Sequence, residues 1–458
     1  MESRQSRKTF RTRLDELITT LRDEIVTGKR VVGEFLPSEK TYAEQSGLSN
    51  QSVRKALEVL VDEGLIVKIP RVGNKVAGPA PGGIISLKFG YHTSIMSQTE
   101  IELLLDMFGK KYPHIRVELI PLPTYNHEMV TKYMENEMLD IVTMNNNEYR
   151  EFAENDRLST LEPLPHNPQL YPFLAEAFRT DGMQHVIPFV FSPVILCYNR
   201  DHFLEHEVPE PDSSWTWDQL IDNASKLAAE NERLGFYYNF HSPNRWPLLL
   251  LQSGGAFERS DSGGVRIAGT PMADGFRFCR EMKNRLPSLW ETIGQDQSEK
   301  LFVQGKASMM LTSYFHLNIL RGSDIPFDIG PVPHFGVPKT LLICIGLAVS
   351  RHSRSKEAAL KLAEFLTSYE AQLVIRQKTY TLPASKPAAE WVGTEAMYRP
   401  PRFMLFRETI PSFHYFTDLN IGQKDLIKIM KEATLYWAGL ENEETFISRL
   451  EQWNPAGV

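Results

Sequence analysis

The stretch Gly78-Pro79-Ala80-Pro81-Gly82-Gly83 holds no side chain able to fill a core. Proline lacks an amide proton and glycine lacks a preferred backbone conformation, so neither a helix nor a strand is expected to run through it. The chain is expected to divide there: a head over 1–77, a linker over 78–83 and a body over 84–458. Charge divides at the same place. Residues 1–78 hold 14 basic and 11 acidic side chains, whereas the whole chain holds 50 Lys+Arg and 57 Asp+Glu, so a net of +3 in the head leaves −10 for the rest. At 458 residues and 42% hydrophobic, the chain is too long for one compact core and too apolar to be disordered.

In the head, Leu14, Leu17, Leu21 and Ile25, with Ile18 beside them, recur at helical spacing and predict a helix over 14–27 ended by Gly28. Ser38, after Pro37, can accept a hydrogen bond from the first free amides of a second helix, and Glu39 suits its positive end. That helix runs to Ser46, and Gly47-Leu48-Ser49 is a short turn. A third helix follows, with Val53, Ala56, Leu57, Leu60 and Val61 inward and Asn50, Gln51, Ser52, Arg54 and Lys55 outward. Two helices across a three-residue, glycine-containing turn make a helix-turn-helix. The β-branched run Leu65–Ile69, a turn at 71–75 and a return through Val76 predict a hairpin with a basic tip, a wing.

Leu36-Pro37-Ser38-Glu39, Gly47-Leu48-Ser49, Ser52-Val53-Arg54-Lys55-Ala56-Leu57 and Glu63-Gly64-Leu65 together resemble the winged helix-turn-helix of GntR-type transcription regulators. The resemblance implies a third helix in the DNA major groove, a wing toward the minor groove, and a homodimer on near-palindromic operators. Lys40 matches a DNA-contacting position usually held by arginine, and Arg54 matches the arginine of the recognition helix. Asn50 stands where many members carry arginine, and Pro70-Arg71 replaces the usual polar-glycine tip, which leaves the operator sequence open. The chemistry agrees. Lys40, Arg54, Lys55, Arg71 and Lys75 can offset phosphate charge, and Asn50, Gln51 and Ser52 carry the donor–acceptor groups that read base edges. A basic arm, Arg4, Arg7, Lys8, Arg11 and Arg13, would add non-specific affinity. The competing reading is a three-helix protein-interaction module with a solvated basic face.

The body alternates. Strands are expected over 84–91, 115–120, 140–144 and 189–198, and helices over 100–112, 217–230 and 356–368, an α/β pattern. Several segments in order resemble family 1 extracellular solute-binding proteins of ABC importers, with the periplasmic-binding-protein type II fold. They are residues 108–118, Leu139-Asp140-Ile141-Val142, 153–158, Ile187-Pro188, Cys197-Tyr198-Asn199-Arg200, Trp215-Thr216-Trp217-Asp218, 302–310 and 365–372. The resemblance implies two α/β lobes joined by crossing strands and closing over a small molecule, commonly a sugar or oligosaccharide.

Ligand sites in such folds lie at strand C-termini and between lobes. The loop after the first strand offers Tyr91, His92 and Thr93. The loop after Val142 offers Met144, Asn145 and Asn147, where maltodextrin-binding relatives often carry an aromatic and a charged group; the replacement points to a different ligand. Phe191 and Ser192 fall near the hinge. Asn239, Ser242, Asn244 and Trp246 precede the Gly254-Gly255 turn, and Tyr314 with Phe315 occupies a loop that usually supplies a stacking aromatic. Sugars need flat aromatic faces for C–H surfaces and amides or hydroxyls for their hydroxyl groups. Among 48 aromatics any single one is more often core than platform. The scarcity of carboxylates in this set argues against a cationic ligand.

Other chemistry is thin. The charged start lacks the apolar segment of a secretory signal, no run is long enough to span a bilayer, and three dispersed cysteines, Cys197, Cys279 and Cys344, suit a reducing setting, so a cytoplasmic protein without a membrane partner is expected. His202-Phe203-Leu204-Glu205-His206 has zinc-site spacing but falls on what the resemblance makes an ordinary surface helix. Gly28 to Gly33 has phosphate-loop spacing with Glu34 where lysine is required. No catalytic residue, metal or cofactor is assigned, and an enzyme is not expected. The sequence reads as a DNA-binding transcription regulator that senses a small molecule, a sugar or oligosaccharide, through cleft closure. The alternative is a small-molecule binding protein that its basic head anchors to DNA or to a partner.

Overall fold

The computed structural model describes residues 13–22, 24–25, 29–70, 72–77, 84–122, 126–230, 232–259, 264–286 and 297–452. The linker 78–83, the arm residues Arg4, Arg7, Lys8 and Arg11, the helix-ending Gly28 and the wing-tip Arg71 lie outside them.

The head is a winged helix-turn-helix. Residues 13–22 and 24–25 are helical and bury Leu21 and Ile25. Helix α1 (Glu39–Ser46) starts at Ser38, whose side chain accepts from the Thr41 amide, and stops at Gly47, which takes the left-handed conformation at φ 65°. Helix α2 (Asn50–Asp62) is capped in the same way by Ser49. Strands β1 (Ile66–Ile69) and β2 (Gly73–Val76) pair antiparallel, Ile66 opposite Val76 and Ile69 opposite Gly73. Gly73, Asn74 and Lys75, expected in the turn, are therefore already in the returning strand. Leu21, Ile25, Leu36, Tyr42, Val53, Leu57, Leu60, Ile66 and Val76 share one apolar cluster. Arg22 on the first helix donates to the Glu63 carboxylate at the end of α2 through Nε at 2.9 Å and Nη2 at 2.5 Å.

The body is built on one 10-stranded sheet. Its path uses β3 (Ile85–Tyr91), β4 (Ile115–Pro121), β5 (Ile141–Asn145), β6 (Val186–Asn199), β7 (Leu234–Tyr237), β8 (Ala307–Ser313) and, after the side strand β9 (Phe327–Gly330), β10 (Thr340–Val349). The order is β4-β3-β5-β10-β6-β8-β7. Strands β4, β3 and β5 run parallel, as do β7 and β8, while β6 and β10 are antiparallel to their neighbours. All residues of β6 are buried, the continuous apolar run that a strand covered on both faces requires.

Strand β6 joins two cores. Its first half pairs with β10 through Val186 to Pro193, and its second half with β8 through Val194 to Tyr198. Leu87, Phe89, Val142, Phe189 and Leu347 belong to one apolar cluster; Val194, Leu196, Tyr198, Trp217 and Leu249 belong to the other. Two α/β lobes thus hang on strands that pass between them. Pro188 cannot donate to the ladder, and opposite it the register shifts between Ile345 and Gly346. A Cβ on Gly346 would meet Val186 Cγ1 at 2.5 Å and the Ile187 carbonyl oxygen at 2.6 Å, so glycine is required for the close approach.

The helices Gln423–Trp437 and Glu443–Glu451 bury Leu426, Ile429, Ala433, Trp437, Phe446 and Leu450 in the second core. Their apolar faces are thus filled from within the chain. Cys197, Cys279 and Cys344 are buried and unbridged, and burial pushes each thiol above its ordinary range.

Candidate ligand cavity and DNA-reading face

A cavity of about 660 Å³ lies where the C-terminal ends of β3 and β5 face the loops that follow β7 and β8. The first lobe contributes His92, Ser94, Gln98, Thr143, Asn145 and Glu148. Opposite them stand Asn239, Ser242, Asn244, Arg245, Ser298 and Glu299, while Phe315, His316, Asn318, Ile343 and Ile345 line the side near the crossing strands. The volume is in the range of small-molecule sites, and the lining mixes amides, hydroxyls, an aromatic ring and apolar groups.

Local structure sets these groups. The His92 amide donates to Thr143 Oγ1 at 3.0 Å, and its Nδ1 lies 2.7 Å from Ser94 Oγ. Burial pulls the His92 imidazole below its ordinary value, which favours the neutral ring. Asn145 caps the helix Asn146–Glu154 and Glu148 accepts the Asn145 amide at 2.7 Å, a capping box whose carboxyl faces the cavity. Burial pushes the Glu148 carboxyl up to about 8, aided by nearby Glu151 and opposed by the Asn145 amide. Arg245 is 6% exposed and Glu299 is 4% exposed. Arg245 Nη1 donates to the Asn244 carbonyl at 3.0 Å, and Glu299 Oε1 accepts from Thr312 Oγ1 at 2.7 Å. Burial lowers the Arg245 pKa, and the Glu299 carboxylate partly offsets that.

Of the residues singled out in the sequence, His92, Thr93, Asn145, Asn239, Ser242, Asn244 and Phe315 line this cavity. The others are elsewhere. Tyr91, Met144 and Phe191 are in the first core, and Trp246, fully buried against Trp437, is in the second. The buried Tyr314 hydroxyl donates to the Phe403 carbonyl at 2.9 Å. Ser192 Oγ accepts the Phe315 amide at 3.1 Å and so positions the aromatic that does face the cavity. Asn147 accepts from its neighbour Asn146 at 2.7 Å. These seven side chains are fixed by packing or by internal hydrogen bonds, so they do not form the wall.

Sequence reasoning passed over Gln98, Glu148, Arg245, Glu299, His316 and Asn318. The expectation of few carboxylates is corrected, since Glu148 and Glu299 both line the cavity. The signal was available for Glu148, because Asn145 and Glu148 have the capping-box spacing. Ser298 and Glu299 follow a segment without a readable pattern and offered none.

On the head, Lys40, Asn50, Gln51, Arg54 and Lys55 are exposed on or beside α2. Ser52 is a correction: it is only 7% exposed and its hydroxyl lies 2.8 Å from the capping Ser49 hydroxyl, so it is not on the outward face. Lys75 is half-buried, with its Nζ 5.8 Å from the centre of the Phe35 ring. Arg71 lies outside the described residues. At the zinc-like spacing, His202 Nδ1 lies 3.0 Å from Ser308 Oγ and His206 Nε2 lies 2.5 Å from Arg233 Nη2, so the two rings are held by different partners. Among the described residues no group of three or more His, Cys, Asp or Glu could hold a metal, and no helix is long and apolar enough to cross a membrane.

The chain is 23% identical over 225 residues to a binding protein of Brucella abortus, a match covering 46% of this chain and 53% of the relative, so it spans about half the length of that relative. It is 23% identical over 296 residues to the sn-glycerol-3-phosphate-binding periplasmic protein UgpB of Escherichia coli, covering 59% of this chain and 67% of the relative. Among solved structures, its fold is similar to the substrate-binding protein Lmo0181 of Listeria monocytogenes in complex with cycloalternan, with a TM-score of 0.66 and 20% identity over 80% of this chain and 97% of that one. Maltose-bound MalE3 of T. maritima gives a TM-score of 0.67 and 19% identity over 80% and 98%. Residues 14–76 match the model of bacterial regulatory proteins of the gntR family. Residues 104–404, well over half of the chain, match that of bacterial extracellular solute-binding proteins. The chain therefore belongs to the bacterial extracellular solute-binding protein family, with a GntR-family DNA-binding segment joined ahead of it.

Proposed function

We propose that this protein is a cytoplasmic, ligand-responsive transcription regulator that senses a carbohydrate through closure of its cleft. The observation that carries the reading is that one chain joins a helix-turn-helix, with Asn50, Gln51, Arg54 and Lys55 exposed on α2, to a polar cavity between two lobes. A receptor that holds DNA cannot also hand its ligand to a membrane importer, so sensing is the economical use of the cavity. Asn145, Asn239, Ser242 and Asn244 supply donors and acceptors for hydroxyl groups, and Phe315 supplies an apolar face. In a homodimer on a near-palindromic operator, closure changes the spacing of two DNA-reading heads and so shifts operator affinity.

The test is a thermal-shift screen of mono- and oligosaccharides on the full chain. A sugar that binds only the folded state raises the melting temperature. A carbohydrate hit whose stabilisation is lost in Asn239→Ala and Phe315→Ala supports the reading, and a panel without any hit contradicts it.

A further inference from the structure

The second-lobe wall of the cavity contains a cation and an anion that do not neutralise each other by contact. Arg245 and Glu299 both line it and both are more than nine-tenths buried, yet they form no ion pair within 4.0 Å. Arg245 has one hydrogen bond to a described residue, through Nη1, which leaves N–H donors of Nε and Nη2 without described partners. Glu299 is fixed through one oxygen by Thr312, which leaves the second oxygen able to accept. On the opposite wall Gln98 is 7% exposed, and its Oε1 has no hydrogen-bond partner among the described residues. Two further titratable groups of the lining, His92 and Glu148, are held close to neutral. Burial favours the uncharged form of His92 and keeps a proton on Glu148 up to about pH 8.

A buried charge without a compensating partner is expensive, and a ligand of net charge would add one. A neutral polyol adds none. Its hydroxyls accept from a guanidinium and donate to a carboxylate or an amide oxygen, which offers a partner to all three groups together. We infer that the cavity selects an electrically neutral, polyhydroxylated ligand whose hydroxyls bridge Arg245 and Glu299, and that this opposed pair rejects both anionic and cationic derivatives of the same ligand. The inference rests on the carbohydrate reading above and narrows it. Specificity comes from the repulsive member of the pair that each charged derivative must face: Glu299 against a phosphate or carboxylate, Arg245 against an amine.

The experiment measures thermal stabilisation and then affinity by calorimetry, using the full chain. The probes are glucose, galactose and maltose, the uronic acids, 6-phosphates and 2-amino derivatives of the two monosaccharides, and inorganic phosphate. The wild type is expected to bind a neutral sugar at least about tenfold more tightly than its charged derivatives. Glu299→Gln, which still accepts from Thr312, is expected to move the ratio toward the acid or phosphate by at least about tenfold, and Arg245→Gln to move it toward the amine. Two variants of opposite sign keep the test sound if one fails to fold. A charged derivative that binds the wild type as well as its neutral parent overturns the inference and leaves the carbohydrate reading intact. So do ratios that neither variant moves. Binding of no sugar, with or without a response to phosphate, overturns both.

Discussion

Arg54 on the exposed face of α2 is held by Glu39 at the start of α1. Nη2 lies 2.8 Å from one carboxylate oxygen, and Nε lies 3.2 Å from each of the two. The ion pair joins the two helices of the DNA-reading motif and presents the guanidinium in a fixed direction. It also places an anion beside the surface that a phosphate must approach. Arg54→Ala is expected to abolish recognition of a specific operator and to lower the dependence of log K on log salt by about 0.9. Glu39→Gln is expected to raise non-specific DNA affinity while reducing discrimination between operator and random sequence. Fluorescence anisotropy over a salt series reads both. An unaltered genomic footprint in Arg54→Ala would favour a head that merely anchors the protein.

Gln252 is fully buried and ties three elements of the second lobe. Its Oε1 accepts from Trp217 Nε1 at 2.8 Å, and its Nε2 donates to the Pro333 and Lys339 carbonyls at 2.9 and 3.0 Å. Gln252→Leu keeps the volume but leaves an indole N–H and two carbonyls without partners. Loss of roughly 2–4 kcal/mol is expected in urea denaturation.

Glu148 gives stability a pH dependence of known sign. Its carboxyl is pushed up to about 8 from an ordinary value of 4.5. The folded state therefore holds a proton that the unfolded state has released, so this contribution to stability is complete below about 4.5 and is lost as pH rises through about 8. Glu148→Gln retains an acceptor for the Asn145 amide and removes the titration. Its stability relative to wild type is expected to rise steadily between pH 5 and pH 8.5, by denaturation at matched ionic strength.

Gly346 is the close approach between the two strands that cross from lobe to lobe. Gly346→Ala forces a methyl group against Val186 and the Ile187 carbonyl. A loss of about 1–3 kcal/mol is expected. Because Ile343 and Ile345 line the cavity on the same strand, sugar affinity is expected to fall with it, which calorimetry at a temperature well below melting would detect.

The head and the lobes were legible in the sequence for different reasons. Ser38, Gly47 and Ser49 mark helix ends by local chemistry alone, so α1 and α2 fall where the spacing puts them. The body strands were legible as apolar runs, although β6 begins at Val186, earlier than its pattern suggests, because Pro188 disguises the start. The cavity was half legible. Loops after β3, β5 and β7 are the right place, and small polar residues there do face it. Large aromatics misled, since such rings fill a core as readily as they stack on a ligand: Trp246 packs against Trp437, and the Tyr314 hydroxyl donates to the Phe403 carbonyl. Arg245 and Glu299 come together only through the packing of distant segments, which no local pattern records. Ser52 failed for the opposite reason: its helical position is outward, but the capping Ser49 draws its hydroxyl in.

The central claim is that the cavity and the DNA-reading face are coupled. The direct measurement is operator affinity of the full chain with and without a saturating sugar from the thermal screen, together with sugar affinity with and without operator. Linkage requires the two factors to be equal. The account predicts a matched change of about five- to 150-fold in both directions of the cycle. A sugar that saturates the cavity and leaves operator affinity unchanged would contradict it.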